Sequence, residues 1–421
     1  MTNDYTLVGE RNYAAESVFI DENKITYFDE LDNLVGYPWA GYTVLIPHSM
    51  IGSYAVVFPA ECQLSEFVAQ DNNLYAKQEM NSDPTIKGYL GKNRRVKAIK
   101  LRGVNSNALA LPAAFFGYPP VGTVFDTQNG HEISRKYVIP HKEQTNAGNK
   151  YKKLWRRVDD KFLPEHYDTG QFWRESDKFN ANDHVVITQK LHGSSCRLSH
   201  TYVKRKLRWR DKVARWFGVE TKEFDFDYIG GSRKVIKDPN NPALQQEHYY
   251  SSDIWSEAAT KYGPMLPKGV ILYGELIGYV TGTSTPIQTG YTYNVPVGET
   301  ELYVYRVAVV QEDGGLYDLS WNGVKEFCKE RGLKWVPELW SGEARHVVPD
   351  RWTNRNFNEN PEPGFPDTPV PLCNESPCDE GVVVRRDGVI PFALKIKSSN
   401  FLIHETKQLD QAEKLSIDIL E

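Results

Sequence analysis

The chain contains 421 residues, of which 40% are hydrophobic and 12% aromatic, and this composition is typical of folded domains rather than of a disordered chain. The formal net charge of −5 argues against a uniformly basic coat for nucleic acids, so any phosphate contacts must come from local basic patches. Because no run of about 18 apolar residues is present and the first residues lack a basic region followed by an apolar core, we expect a cytoplasmic protein without a membrane partner.

Residues 1–125 are predicted to form a small β-rich module of short strands and turns. The stretch RRVKAIKL predicts an apolar face and a basic face: Val96, Ala98 and Ile99 or Leu101 toward a core, with Arg95, Lys97 and Lys100 toward solvent. This pattern suits a closed barrel of the OB type that presents Lys97 and Lys100 to RNA. An antiparallel sheet whose lysines only keep an edge soluble explains it equally well.

A polar stretch at residues 126–160 predicts a linker, because glycines, asparagines and charged residues are frequent in it. Residues 161–410 are predicted to form one α+β domain, followed by a short tail at 411–421. Its strands are predicted in HVVITQKLHG, VILYGELIGYV, ELYVYRVAVV, EGVVVRRDG and FALKIKSSNF. A Pro-rich loop at 353–377 precedes the EGVVV strand, since its prolines oppose regular strand pairing.

Two helices are predicted between these strands, in DIWSEAATKYG and LSWNGVKEFCKERGL. In the second, Ser320 or Asn322 is placed to cap the first turn and Gly332 to end the helix.

The five cysteines form an odd and scattered set, which predicts reduced thiols rather than a disulfide framework. They are Cys62, Cys196, Cys328, Cys373 and Cys378. Cys373 and Cys378 lie close enough in sequence to share a zinc ion, but no second Cys or His pair accompanies them, so ordinary thiols are favoured.

Lys190 ends an apolar segment and is followed directly by the tight turn LHGSS. A glycine turn at a strand end can hold a lysine amine rigidly over a pocket. To attack phosphorus the amine must be neutral, which requires desolvation or a nearby positive charge. Lys395 and Lys397 alternate in ALKIKS, so both would point to one face of a strand and could supply that charge. Alone, Lys190 is weak evidence, because a lysine before a glycine turn is usually a solvated residue.

The informative feature is an ordered set of motifs: KLHGSS, GGSR, YGELIG, LYVY, EGVVVR and LKIKS. This set resembles the covalent nucleotidyltransferase superfamily, and within it the RNA ligases, where KxHG is common; DNA ligases and capping enzymes more often carry aspartate at the position of His192. The resemblance extends from Phe162 to His404. Upstream, VVFPAECQLSEFV and KAIKLRGVNSNALALP resemble the OB module of Naegleria-type RNA ligases. The fold implied is α+β, an OB-like barrel followed by a nucleotidyltransferase (ATP-grasp-like ligase) domain of antiparallel sheets and helices.

The resemblance also implies a role for each residue that matches a family motif. These roles are Lys190 as the nucleophile that takes AMP from ATP, His192 near the phosphates, Arg233 on the nucleotide sugar and phosphate, Glu275 on the ribose, Tyr305 stacked on adenine, Glu380 at a catalytic metal through water, and Lys395 and Lys397 on the α-phosphate. Tyrosine replaces the usual phenylalanine at position 305 but keeps the aromatic face.

These roles agree with the chemistry of phosphoryl transfer, which builds charge on oxygens that cations and a divalent metal must stabilise. Mg²⁺ or Mn²⁺ suits carboxylate and phosphate oxygens better than zinc does. As alternatives, Glu275 and Glu380 are surface carboxylates and Tyr305 is a core aromatic residue. Ser195 stands where some relatives carry asparagine, which leaves its role open.

The insert at residues 201–222 interleaves basic residues with tryptophan, as in Arg208, Trp209 and Arg210. Such a pattern can bind phosphates and stack on unpaired bases, so Arg208 and Arg210 are candidate RNA-binding residues. An amphipathic hairpin or helix whose tryptophans pack on the domain and whose charges are solvated is equally compatible.

Together these observations predict a monomeric ATP-dependent RNA ligase that acts on RNA ends, for example in a nicked duplex or an RNA–DNA hybrid. Lys190 would be adenylated, the AMP would pass to an RNA 5′-phosphate, and a 3′-hydroxyl would displace it. The alternatives are a capping-type guanylyltransferase, a DNA ligase, or a nucleic-acid-binding relative without catalysis.

Overall fold

The computed structural model describes residues 3–139, 156–241, 250, 252–349, 378–388 and 391–420. The predicted Pro-rich loop at 353–377, including Cys373, lies outside these residues. The other four cysteines are buried and form no disulfide bond within the described residues. None of the helices in the described part of the chain is long and apolar enough to cross a membrane.

The N-terminal unit consists of short strands and one short helix, α1 (Glu66–Asp71). Its strands are β1 (Tyr5–Thr6), β2 (Ala15–Phe19), β3 (Leu34–Trp39), β4 (Tyr42–Pro47), β5 (Tyr54–Pro59), β6 (Cys62–Leu64), β7 (Ile99–Leu101), β8 (Val104–Ser106), β9 (Ala108–Pro112), β10 (Val124–Phe125), β11 (Thr127–Gln128), β12 (His131–Glu132) and β13 (Ser134–Lys136). They form a four-stranded sheet in the order β10-β2-β5-β9, a three-stranded sheet β1-β11-β12, and the pairs β3-β4, β7-β8 and β6-β13.

The predicted closed barrel is not confirmed, because the strands between residues 3 and 139 belong to separate sheets. Strands of two to six residues end before one sheet can curl around and close. The predicted linker boundary also differs from the structure: β11 pairs with β1 and β13 pairs with β6, so the chain belongs to the N-terminal sheets as far as Lys136. Polar residues misled the prediction because these strands lie at sheet edges, where one side faces water.

The C-terminal unit contains two larger sheets and five helices among the described residues. Its strands are β14 (Gly170–Gln171), β15 (His184–Lys190), β16 (Ser194–Lys204), β17 (Phe224–Gly231), β18 (Ile236–Lys237), β19 (Val270–Gly278), β20 (Thr300–Val310), β21 (Leu316–Asp318), β22 (Lys334–Trp335), β23 (Glu338–Glu343), β24 (Gly381–Arg386) and β25 (Phe392–Lys397). Its helices are α2 (Phe172–Glu175), α3 (Trp209–Trp216), α4 (Ile254–Tyr262), α5 (Trp321–Glu330) and α6 (Ser399–Leu420).

All five strand segments and both helices predicted for this unit are present. Ser320 caps α5 by accepting a hydrogen bond from the Gly323 backbone amide, and Gly332 follows with a positive φ of 64°. One sheet has the order β14-β25-β24-β15-β23 and the other β18-β17-β16-β19-β20-β21, with β22 beside β20. Most ladders are antiparallel. The α+β class is therefore confirmed.

Helix α6 packs against the N-terminal unit and crosses the boundary predicted at residue 410. Arg95, which was predicted to face solvent, is fully buried beneath this helix. Its guanidinium donates to Glu61 at 2.8 Å and pairs with Asp410 of α6. Thr406 of α6 also donates to Glu61, at 2.6 Å. The alternation rule failed at Arg95 because a second element covers the face that would otherwise meet water.

Further contacts join the N-terminal unit to the strand that carries the predicted catalytic lysines. The Tyr42 hydroxyl donates to the Lys397 carbonyl at 3.0 Å. Ser399 at the start of α6 donates to Asn107 at 2.7 Å. Arg174 of α2, in the C-terminal unit, donates to the Arg11 carbonyl of the N-terminal unit at 2.6 Å. The N-terminal unit therefore contacts the end of β25, the start of α6 and α2.

Candidate active site

The turn between β15 and β16 joins the two large sheets, and its geometry depends on Gly193. A Cβ atom there would lie 2.2 Å from the Leu276 carbonyl oxygen, so a larger residue would collide with backbone. The Gly193 amide donates to the Glu275 carboxylate at 3.2 Å, and the His192 amide donates to the Tyr293 hydroxyl at 2.7 Å. These contacts hold Lys190, the last residue of β15, at the seam between the sheets.

Lys190 pairs with Glu380, the residue that immediately precedes β24. The Lys190 Nζ atom lies 2.7 Å from Glu380 Oε1, and the two side chains are 26% and 6% exposed. Burial alone would raise the pKa of Glu380, but the adjacent charge of Lys190 lowers it. The register explains the pairing, because Lys190 lies opposite Gly381 in the β15-β24 ladder. The two motifs KLHG and EGVVV are therefore brought together as predicted.

The second oxygen of Glu380, Oε2, is buried and has no hydrogen-bond partner among the described residues. A buried carboxylate oxygen without a hydrogen-bond partner is costly, and the nearest ring nitrogen, His192 Nδ1, lies 3.7 Å from it. A hard divalent cation suits such an atom. No group of three or more His, Cys, Asp or Glu side chains that could hold a metal exists in the described ranges.

A pocket of about 320 Å³ opens beside Lys190. Its lining includes four of the seven predicted nucleotide-binding residues, Lys190, Arg233, Glu275 and Tyr305, together with Thr169, Ser195, His166 and Arg385. The volume lies at the lower end of the range for small-molecule sites. Residues that are more than 100 positions apart in sequence thus share one cavity.

Tyr305 lines the pocket and also packs against the hydrophobic core of the C-terminal unit. Its hydroxyl lies 3.5 Å from Ser195 Oγ, and its ring meets the His166 ring edge-on at 5.0 Å between centroids. An aromatic wall of this kind offers a π-face to a planar base.

Glu275 and Arg233 occupy different environments in the pocket. Burial raises the pKa of Glu275 to about 8, although the charge of Lys190 opposes this shift. Arg233 is 57% exposed and pairs with Asp168. The buried carboxyl is fixed by the Gly193 amide, whereas the arginine can reorient.

Lys395 and Lys397 share a face of β25, as predicted, but line a neighbouring cavity of about 220 Å³ next to the N-terminal unit. Burial and the charges of Lys397 and Lys190 lower the pKa of Lys395 to about 8. Burial alone would lower the pKa of Lys397, but Glu405 of α6, 2.7 Å away, raises it above its ordinary value. Lys397 therefore remains a cation.

His192 points away from the pocket. Its ring packs edge-on against Tyr291 and Phe401, with centroids 4.8 and 5.0 Å apart, and its Nδ1 atom lies 3.7 Å from Glu380 Oε2. Burial lowers the pKa of His192, which favours the neutral ring. In this arrangement the histidine supports Glu380.

Two pocket residues were missed in the sequence. Arg385 is buried, donates to the Tyr305 carbonyl at 2.5 Å and lies over the Trp321 ring at 4.6 Å. Burial and the charge of Arg306 lower the pKa of His166 well below its usual range. The EGVVVR motif already contained Arg385, and its alternation with Val383 on one strand face was the available signal. His166 had no comparable signal.

The predicted RNA-binding residues lie outside the pocket. Lys97 is half-buried and pairs with Asp410 at 2.9 Å, whereas Lys100 is exposed. Arg208 and Arg210 are exposed at the start of α3.

Comparisons with known proteins agree with this geometry. Residues 183–397, just over half of the chain, match the family model described as RNA ligase. The structure of Naegleria gruberi RNA ligase with PPi aligns with a TM-score of 0.56 at 15% identity, covering 94% of this chain and 99% of that chain. A mutant of that ligase with ATP and Mn gives 0.55 at 17% identity, covering 92% and 98%. An apo mutant gives 0.55 at 16%, covering 95% and 100%. No curated protein sequence matches the chain. The likeness to these structures establishes a shared fold.

Proposed function

Because the chain belongs to the RNA ligase family, we propose that it uses ATP to join RNA 3′-hydroxyl and 5′-phosphate ends through a lysyl-AMP at Lys190. The observation that carries this proposal is the position of the Lys190 amine, 2.7 Å from the buried Glu380 carboxylate at the edge of a nucleotide-sized pocket. A strand-end lysine that is held in this way is pre-positioned for attack. The Naegleria gruberi structures with ATP and Mn support the choice of nucleotide and ion.

The proposed reaction has three displacements at phosphorus. The neutral Lys190 amine attacks the α-phosphorus of ATP, so that a P–N bond forms and pyrophosphate leaves. An RNA 5′-phosphate oxygen then attacks the same phosphorus and releases Lys190. Finally, an RNA 3′-hydroxyl attacks the 5′-phosphate and AMP leaves, which seals the strand. Each displacement adds charge to equatorial oxygens.

Residues of this chain would stabilise that charge. Lys397, which Glu405 holds in its charged form, and Lys395 approach the Lys190 seam from β25. Glu380 would hold Mg²⁺ or Mn²⁺ through the oxygen that has no hydrogen-bond partner among the described residues, and the ion would keep water ligands. When bound, the ion supplies Lewis-acid stabilisation of the phosphate oxygens. Glu275 would bind the ribose and Tyr305 the adenine.

Replacing Tyr305 by alanine is expected to raise the KM for ATP in adenylation by about 5-fold to 150-fold, because stacking on a base contributes about 1–3 kcal/mol. Tyr305→Phe keeps the ring and loses only the long contact to Ser195, so its KM should stay within a few-fold of wild type. Initial rates at varied ATP concentration measure both values. Equal KM values for the alanine variant and wild type would remove Tyr305 from the base site.

Replacing Glu380 by glutamine is expected to increase the Mn²⁺ concentration required for half-maximal adenylation by about 10-fold to 100-fold. The amide keeps the shape of the side chain but has no charge with which to attract the ion. Titration of the adenylation rate with MnCl₂ gives the value. Glu299→Gln, a change at an exposed carboxylate, is the matched control. A midpoint equal to that of wild type would contradict the proposed metal site.

A capping-type guanylyltransferase or a DNA ligase would share the fold and differ in nucleotide or acceptor. Labelling with radioactive ATP or GTP, followed by denaturing electrophoresis, distinguishes the guanylyltransferase, since the proposal requires label from ATP. Sealing assays on nicked RNA duplexes, RNA–DNA hybrids and nicked DNA distinguish the DNA ligase. Preferential sealing of DNA would overturn the proposed acceptor.

A further inference from the structure

Residues 201–222, called the arm below, present an exposed aromatic helix face. Positions 209, 213, 216 and 217 lie on one side of α3 and its C-cap, since they are spaced by three, four or eight residues. Trp209 is 70% exposed, Val213 40%, Trp216 84% and Phe217 73%. The alternative in which both tryptophans pack on the domain is therefore wrong. An apolar face of this extent is unusual on a protein surface without a binding role.

The charges beside this face are mainly basic. Two arginines form salt bridges within the arm or at its base: Arg205 pairs with Asp211 at 3.0 Å, and Arg215 pairs with Glu223 at 2.8 Å. Arg208 and Arg210 form no salt bridge with any acidic residue in the described ranges. The Arg210 guanidinium lies 5.7 Å from the centre of the Trp209 ring. Cations and rings thus alternate on the outer side of α3.

The same chemistry continues onto the sheet at the base of the arm. An open groove there is lined by Phe226, His200, Lys268 and Lys206, and also by Lys222, which pairs with Asp225 at 2.6 Å, and by Asp227. The Lys268 ammonium lies 5.0 Å from the centre of the Phe226 ring, and the tilted Tyr202 and Phe226 rings are 4.5 Å apart. Aromatic rings beside lysines are typical of surfaces that bind single-stranded nucleic acid.

Strand β16 connects the arm to the pocket. Ser195 near its start lines the pocket, and residues 201–204 at its end belong to the arm. Along the strand, Ser195 and Lys204 are about 30 Å apart. A ligand on α3 would therefore bind beyond the end of β16 that lies away from the pocket.

We propose that the arm binds unpaired nucleotides of the RNA substrate beyond the end of β16 that lies away from the pocket, with Trp209 and Trp216 stacking on bases and Arg208 and Arg210 contacting phosphates. This inference rests on the proposed RNA-sealing function and specifies a substrate with a single-stranded segment beyond the join. Charge complementarity selects this partner, because a polyanion with exposed bases matches both the cations and the rings. A second copy of the chain would bring like charges together.

The test compares wild type with a Trp209→Ala, Trp216→Ala double variant. Fluorescence anisotropy with a labelled single-stranded RNA should give a Kd at least about 5-fold higher for the variant. Lysyl-AMP formation from ATP should proceed at the wild-type rate, which also establishes that the variant is folded. Sealing should lose efficiency on substrates with a long single-stranded segment and not on short ones. Tyr27→Ala, which removes a ring of 64% exposure from the N-terminal unit, is the control.

An Arg208→Ala, Arg210→Ala variant tests the phosphate contacts separately. The slope of log Kd against log salt concentration should decrease by about 1.4, since each phosphate contact on a single strand contributes about 0.7. If the double tryptophan variant and the double arginine variant both bound RNA as tightly as wild type, the inference would be overturned. It would be overturned equally if these variants lost binding to anionic lipid vesicles, or lost self-association, while their RNA affinity stayed unchanged. If wild type formed no lysyl-AMP but the RNA effects persisted, the arm would stand and the proposed chemistry would fail.

Discussion

Replacing Lys190 by alanine is expected to abolish formation of the covalent adenylate, a loss of about 10⁴-fold or more, because no other group can form the P–N bond. Incubation with radiolabelled ATP and Mn²⁺, followed by denaturing electrophoresis, measures the product directly. Lys190→Arg should be equally inactive, since it keeps a cation near Glu380 but cannot act as the nucleophile. Loss of label in both variants would show that the reaction requires the lysine amine as a nucleophile and not only a positive charge at position 190.

Two controls make this result specific. Lys329→Ala, at an exposed position on α5, should label like wild type. Supplied with RNA that already carries a 5′-adenylate, Lys190→Ala should still seal, because the last displacement does not use the amine as a nucleophile. A Lys190→Ala protein that remained labelled would place the adenylate on another residue.

Replacing Arg95 by methionine is expected to lower the unfolding free energy by about 3–5 kcal/mol, the usual effect of removing one partner from a buried ion pair. Glu61 would remain buried without its cation, and Asp410 of α6 would lose its contact with the N-terminal unit. Urea denaturation followed by tryptophan fluorescence measures the change. This effect is large because the Arg95 side chain is 0% exposed.

Arg102→Met is the matched control, because its partner Asp32 is equally acidic but both side chains are more than 60% exposed. The control should change stability by less than about 1 kcal/mol. Adding Glu61→Gln to Arg95→Met should recover part of the loss, since no buried charge is then unpaired. If Arg95→Met and Arg102→Met had similar unfolding free energies, Arg95 would not hold the two units together.

Local sequence patterns were sufficient for the strands and helices of the C-terminal unit. The apolar run before Lys190 and the alternation in ALKIKS specify strands whatever their neighbours, and Ser320 caps its helix through a contact three residues away. The candidate active-site lysine and carboxylates were predicted because their motifs occur in a fixed order. Glu275 lies opposite Ser195 in the β16-β19 ladder, and Glu275, Tyr305 and Lys190 then line one pocket where the two sheets meet.

Contacts between distant elements were not predictable in this way. Arg95 is buried by a helix more than 300 residues later, and nothing in RRVKAIKL indicates that covering. The N-terminal sheets extend to Lys136. The prediction ended this unit at residue 125 because the short edge strands that follow carry few apolar residues. The exposure of Trp209 and Trp216 likewise depends on how the arm leaves the sheet, whereas their sequence pattern allowed either a packed or an exposed helix.

The most direct test of the account is the intact mass of purified wild-type protein after incubation with ATP and Mn²⁺, followed by peptide mapping. The account predicts a gain of one AMP, located on the Lys190 side chain and removed by added pyrophosphate, since the first displacement is reversible. A protein whose mass does not change, or whose AMP maps to another residue, would contradict it.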